Sequence, residues 1–103
     1  MAAKQIADKL ISEHLIAVFS KSYCPYCSRA KSVISSLGLD SSKVGIIELD
    51  QTKEGADIQA YLADETKQRT VPNIFINEKH LGGCDDLLRA QSEGRLEQLI
   101  SSA

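Results

Sequence analysis

The sequence predicts an α/β fold: a four-stranded mixed sheet flanked by helices on both faces. Three observations predict it. Short apolar runs rich in strand formers alternate with stretches of helical periodicity. The opening strand–helix–strand order calls for parallel strands joined by a right-handed crossover. A short polar turn between the last two strands calls for an antiparallel hairpin. The chain has 103 residues, the usual size of one domain, and residues 1–103 are read as a single domain.

The elements follow in order. Ile6, Leu10 and Ile11 recur at helical spacing and set a first helix near residues 4–13. Leu15-Ile16-Ala17-Val18-Phe19 is an apolar run of strand formers and reads as a buried strand. Ser20 to Tyr23 form the loop at its C-terminal end. Ala30, Val33, Ile34 and Leu37 fall at i, i+3, i+4 and i+7, with Arg29, Lys31, Ser32 and Ser35 on the other face. That is an amphipathic helix, closed by Gly38 just past its end. Gly45 to Asp50 read as a second strand, and Ile58, Tyr61 and Leu62 mark a helix near residues 54–66. Asn73-Ile74-Phe75-Ile76 is a third strand. Asn77-Glu78-Lys79 is polar and turn-like, and His80-Leu81 begins a short return strand. Leu87 and Leu88, then Leu96, Leu99 and Ile100, mark two closing helices.

Composition narrows the function. Hydrophobic residues make up 43% and charged residues 25%, which excludes collagen, coiled coil and disorder as whole-chain answers. Twelve basic against 14 acidic residues leave a net charge of −2. No nucleic acid is expected as a main partner, since phosphate binding needs a basic surplus. No apolar run approaches the ~20 residues of a membrane helix, so no membrane partner is expected either. The N-terminal Met1 to Asp8 lack an apolar signal core, and the C-terminal Ser101-Ser102-Ala103 match no retention or peroxisomal signal. The expected address is the cytoplasm. Three cysteines are too few for a disulfide scaffold; in a reducing compartment, close cysteines are redox-active or metal-binding.

Cys24-Pro25-Tyr26-Cys27 follows a predicted strand and opens a predicted helix. Pro25 suits the first helical position, where its φ is helical and its missing N–H has no partner to lose. Cys24 then stands at the helix N-terminus, where free N–H groups and the macrodipole favour a thiolate. Lys21 adds a nearby positive charge, and both effects are expected to depress the Cys24 pKa. Cys27 lies one turn on, within disulfide reach, more buried and with a pKa expected nearer to normal. The asymmetry makes Cys24 the attacking thiol and Cys27 the resolving one. The alternative is zinc, held by Cys24, Cys27, His80 and Cys84. Its second pair is one His and one Cys rather than a second CxxC, and Pro25 stiffens the knuckle.

Two further motifs stand near predicted strand ends. Thr70-Val71-Pro72 precedes the third strand, where a proline removes a donor that would otherwise pair. Gly82-Gly83-Cys84-Asp85-Asp86 lies between the return strand and a helix. Its glycines let backbone approach a ligand, and the helix start offers N–H groups to an anion. Its two acidic residues also suit a first helical turn on stability grounds alone.

The stretch Phe19-Ser20-Lys21-Ser22-Tyr23-Cys24-Pro25-Tyr26-Cys27 resembles the active-site segment of dithiol glutaredoxins. The two further motifs agree in order and spacing, so the resemblance covers nearly the whole chain and implies a thioredoxin-like fold. Thioredoxins proper match less well: they carry Trp-Cys-Gly-Pro-Cys, and this chain has no Trp. The resemblance implies a glutathione-dependent thiol–disulfide oxidoreductase, monomeric, acting on protein–glutathione mixed disulfides and on protein disulfides. Glutathione is the implied reducing co-substrate, itself kept reduced by an NADPH-dependent glutathione reductase. No metal is expected.

The implied glutathione site has three parts. A cis Val71–Pro72 bond, beside Thr70, leaves the Val71 N–H and C=O to pair with the ligand as with an added strand. Gly83, Cys84, Asp85 and Asp86 hold the γ-glutamyl end, with the Cys84 and Asp85 N–H groups on its carboxylate and Asp86 on its ammonium. Many glutaredoxins carry Ser where Asp85 stands; a carboxylate there either repels the ligand carboxylate or helps hold the ammonium. Lys21, Gln59 and Arg69 face the glycine carboxylate. Tyr26 shields the mixed disulfide. Cys84 reads as a small packing residue beside the loop, with a regulatory thiol as the alternative. His14 falls at the end of the first helix and His80 in the last strand, neither in a base role. A second reading is a carrier of a [2Fe–2S] cluster; cluster-binding glutaredoxins usually have Gly after the first cysteine, and Pro25 hinders that packing.

Overall fold

β1 (Ile16–Ser20) runs through the middle of the protein, with all five residues buried. The structure is a computed structural model describing residues 2–101, so Met1, Ser102 and Ala103 of the terminal segments considered above lie outside the described residues. β1 pairs in parallel with β2 (Val44–Glu48), antiparallel with β3 (Asn73–Ile76), and β3 pairs antiparallel with β4 (Lys79–Gly82). The sheet order is β2-β1-β3-β4.

Side chains alternate across a strand, and β1 uses both sides. Ile16 and Val18 pack with Ala30 and Ile34 of α2 (Pro25–Ser36) and with Leu87 and Ala90 of α4 (Cys84–Ser92). Ala17 and Phe19 pack with Ala7 of α1 (Ala3–Glu13) and with Ile58 and Leu62 of α3 (Gly55–Thr66). The short α5 (Leu96–Ser101) closes the first core through Leu96. Fully burying a side chain such as Phe19 contributes about 1.5–3 kcal/mol. The expected two-faced mixed sheet is therefore present, built on two fully buried strands, β1 and β3.

The boundaries differ where backbone geometry overrides composition. β2 ends at Glu48, because Leu49 to Gln51 tighten into a single 3-10 turn. The last hairpin turns on two residues, Asn77 and Glu78, at φ 51° and 66°. Lys79 already belongs to β4, not to the turn. Positive φ at both central residues matches the strand twist, and Asn adopts it readily. No glycine marks the second position, so the sequence hides how tight the turn is. Between β3 and β4 the register shifts: Phe75 faces His80 and Ile74 faces Gly82, so Leu81 is the extra residue of a bulge. Bulges re-aim a strand end, and this one sits just before Gly82 and Gly83.

Candidate active site

The site forms where the C-terminal end of β1 meets the starts of α2 and α4. Cys24 is the N-cap of α2, with extended backbone and Pro25 as the first helical residue. Its sulfur accepts the Cys27 N–H at 3.3 Å. Burial by itself raises the Cys24 pKa. Hydrogen bonds from the Cys27 thiol and from the Cys27 and Tyr26 N–H groups outweigh it, Lys31 adds its charge, and the thiol lies below its ordinary range. Cys27 is fully buried. Burial first, then the neighbouring Cys24 thiol, push its pKa up, against smaller help from the Lys21 backbone and the Ser20 hydroxyl. It is therefore raised, not near normal as expected.

A cation that the sequence does not single out, Lys31, also acts on Cys24, after the hydrogen bonds. Lys31 Nζ is held 2.8 Å from Glu48 across the β2 end, with both side chains about a quarter exposed at 24% and 25%. The Lys21 charge falls on Asp50, which the Ser22 hydroxyl and N–H hold below the usual carboxylate range before Lys21 adds to it. Asp50 accepts the Ser22 N–H at 2.9 Å and the Ser22 hydroxyl as well, and the Cys24 N–H donates to the Lys21 carbonyl at 3.1 Å. The loop entering the cysteine pair is thus tied to the segment after β2.

A groove of about 420 Å³ borders this pair, within the range of small-molecule sites. Thr70, Val71 and Pro72 line one side, and Gly83, Cys84, Asp85 and Asp86 another. Tyr26, 61% exposed, and Gln68 complete it. The Cys24 sulfur lies 3.9 Å from the Val71 carbonyl, so the thiol meets the groove through that wall. The Val71–Pro72 bond is cis, as the resemblance implies.

The two glycines of the second wall serve different ends. Gly82 has φ +129°, and a Cβ there would come 2.2 Å from an Asp86 carboxylate oxygen. That same carboxylate accepts the Gly83 N–H at 2.9 Å and caps the start of α4. Gly82 is therefore required by the fold. Gly83 is not: its backbone is extended, and a Cβ would meet only the Pro72 carbonyl at 3.6 Å and Gln68 at 3.8 Å. Its missing side chain leaves the groove open. Cys84 is 5% exposed, and burial first pushes its pKa up, with Asp85 and Cys24 adding and Arg29 opposing.

The proposed glycine-end residues stand apart. Gln59 and Arg69 line a second depression with Ala56, Ala60 and Ala63, and Gln59 Nε2 donates to the Arg69 carbonyl at 2.9 Å. Lys21 lines neither. Among the described residues, no three His, Cys, Asp or Glu groups gather as metal ligands. His80 Nε2 faces Asn73 Oδ1 at 2.9 Å and Gln68 Oε1 at 3.2 Å rather than the cysteines. His14 caps the end of α1, its Nδ1 2.9 Å from the Leu10 carbonyl.

Gln68 in the groove and Lys31, which acts on Cys24 by its charge, are the two residues that the sequence reading does not single out. Lys31 has a usable signal: it lies seven residues after Cys24, two helical turns along the same side. Gln68 has none, being one polar residue in a polar loop.

Comparison with known proteins accords with this geometry. A Glutaredoxin family model matches residues 16–81. The chain is 48% identical over 99 residues to Glutaredoxin-1 of Rhizophagus irregularis, covering 96% of this chain and 95% of that protein. It is 50% identical over 98 residues to Glutaredoxin-1 of Saccharomyces cerevisiae, covering 94% and 88% respectively. A buckwheat glutaredoxin–glutathione complex superimposes with a TM-score of 0.90 at 44% identity, over 97% of this chain and 88% of that one.

Proposed function

The chain belongs to the glutaredoxin family, and from that premise we propose how its residues divide the work of a glutathione-dependent thiol–disulfide oxidoreductase. The single observation that carries the reading is the Cys24 sulfur: it caps α2, accepts an N–H and lies 3.9 Å from the Val71 carbonyl in the wall of an open groove. A thiolate attacks disulfide sulfur and a thiol does not, so the lowered Cys24 pKa makes it the nucleophile.

On a protein–glutathione mixed disulfide, Cys24 attacks the glutathione sulfur. The bond to the protein sulfur breaks, and the protein thiolate leaves and takes up a proton. Cys24 then carries glutathione as a mixed disulfide. The thiolate of a second glutathione attacks that glutathione sulfur, releases Cys24 and leaves as oxidised glutathione. On a protein disulfide, Cys24 forms a mixed disulfide with the substrate, and Cys27 displaces the second substrate thiol. The resulting Cys24–Cys27 disulfide is reduced by two glutathiones. The raised Cys27 pKa suits this order, since Cys27 stays protonated until Cys24 has been engaged.

Glutathione lies along the Thr70 to Pro72 wall, pairing its backbone with Val71. Its γ-glutamyl carboxylate takes the Cys84 and Asp85 N–H groups at the start of α4, and Asp86 takes its ammonium. Its glycine carboxylate takes Lys21, Gln59 and Arg69. That end is less prepared, because the Gln59 amide already donates to the Arg69 carbonyl. Tyr26 covers the mixed disulfide. Glutathionylated proteins, protein disulfides and an NADPH-dependent glutathione reductase are the proposed partners, and the cytoplasm, with its reduced glutathione pool, the proposed compartment.

The test is a glutathione-coupled mixed-disulfide reductase assay on wild type, Cys24→Ser and Cys27→Ser. Cys24→Ser is expected to be inactive and Cys27→Ser to retain deglutathionylation. Loss in both variants would make the protein a dithiol reductase without the glutathione site. An inactive wild type would overturn the reading.

A further inference from the structure

Gln68 reaches back over the loop that carries the cis bond. Its Nε2 donates to the Thr70 carbonyl at 3.1 Å and to the Pro72 carbonyl at 3.0 Å, the two carbonyls on either side of Val71. A side-chain amide nitrogen has two N–H groups, and both are used here. Only Oε1 remains, and it faces His80 Nε2 at 3.2 Å. An acceptor faces that ring nitrogen, so Nε2 carries the hydrogen, which it shares with Asn73 Oδ1 at 2.9 Å. Asn73, 2% exposed, donates in turn to the Thr66 hydroxyl at 3.5 Å. That hydroxyl donates to the Leu62 carbonyl at 2.7 Å and accepts the Gln68 N–H at 3.1 Å. From the His80 N–H the network takes two branches, one through Gln68 to the carbonyls on either side of Val71 and one through Asn73 and Thr66 to the Leu62 carbonyl of α3. The His80 ring is itself seated on Phe75, with centroids 5.2 Å apart.

We infer that Gln68, oriented by His80, is a positioning residue for the exchange reaction: it fixes the carbonyls on both sides of Val71, so that the Val71 backbone meets the glutathionyl unit as a preset edge. The inference rests on the reading of the groove as the glutathione site. Gln68 lines that groove yet has no N–H left for a ligand, so it acts through Val71. Its loss weakens capture of the glutathionyl unit and leaves the chemistry at Cys24 alone, because none of the groups that lower the Cys24 pKa belongs to this network.

The experiment measures KM and kcat for a glutathionylated peptide, with the pH profile of Cys24 alkylation by iodoacetamide alongside. Variants are Gln68→Met, which keeps length without donors, His80→Phe, which keeps the ring on Phe75 without an N–H, and the double variant. For Gln68→Met the expected result is a rise in KM of about tenfold with kcat within about twofold. The alkylation profile is expected to stay in place. His80→Phe is expected to raise KM by about threefold, with little further effect in the double variant, since both act through one clamp. A Gln68→Met KM equal to that of an active wild type overturns this inference alone. Fully additive effects overturn the orienting role of His80. A wild type that does not use glutathione overturns the functional reading, and this inference with it.

Discussion

Two helices begin at this site with a cysteine, and their thiols are driven in opposite directions. Cys24 is the N-cap of α2: its sulfur takes a helix N–H, and α2 has no acidic residue in its first turn. Cys84 is one position further in, the first residue of α4, and Asp85 and Asp86 follow it. The Asp86 carboxylate caps that helix, and the Cys84 sulfur is buried among core side chains. The dipole has the same sign at both helix starts, yet one pKa falls and the other rises. At α2 the sulfur itself takes the cap and its hydrogen bonds outweigh burial, whereas at α4 a carboxylate takes the cap and burial, with the Asp85 charge, raises the thiol.

Breaking the α4 end is expected to have the largest effect. Gly82→Ala drives a methyl into the capping carboxylate at a φ that L side chains avoid, and should cost about 1–3 kcal/mol of stability in denaturant melts. The alkylation profile of Cys24 should hold still; movement would mean that the two helix starts are coupled. On the α2 side the effect is smaller. Lys31→Met removes a cation that favours the thiolate, so the Cys24 pKa rises and alkylation near pH 6 slows by about twofold. The sign is fixed: a lowered pKa keeps the thiolate at lower pH, and losing the cation moves the profile up. If Lys21→Gln moved that profile and Lys31→Met did not, the electrostatic assignment made here would be reversed. The smallest effect belongs to Cys84→Ser, with turnover within about twofold of wild type. In wild type, iodoacetamide should label Cys24 at a pH well below that needed for Cys84; mass spectrometry of the two peptides orders them.

The core and the reactive end of α2 were legible in the sequence for physical reasons. The run from Ile16 to Phe19 is apolar on both sides because both faces of β1 are covered. Pro25 marks the helix start, and that placed Cys24 at its cap. Lys31, seven residues on in α2, adds a charge to Cys24 that sequence proximity does not single out. The Glu78 turn carries no glycine or proline signal, and the glycines after Leu81 read as a binding loop rather than as the end of a bulge. The burial of Cys27 was legible from its place one turn into α2, but not that burial pushes its pKa above the ordinary range. Gln68 gains its role only when the loop brings two carbonyls to one side of it.

The two-residue turn at Asn77 and Glu78 has a consequence for the order in which the site assembles. Both long walls of the groove, from Gln68 to Asp86, lie in one stretch of chain folded about that turn. Closing so short a loop costs little entropy. Bringing it beside Cys24 requires β1 to pair with β3, Ile16 with Ile76, from far apart in the chain. The hairpin is therefore expected to gain protection first in pulsed hydrogen exchange, and the β1–β3 pair later. Until that pairing, Cys24 is a thiol with no groove to choose its partner, and a nascent chain is open to any disulfide it meets.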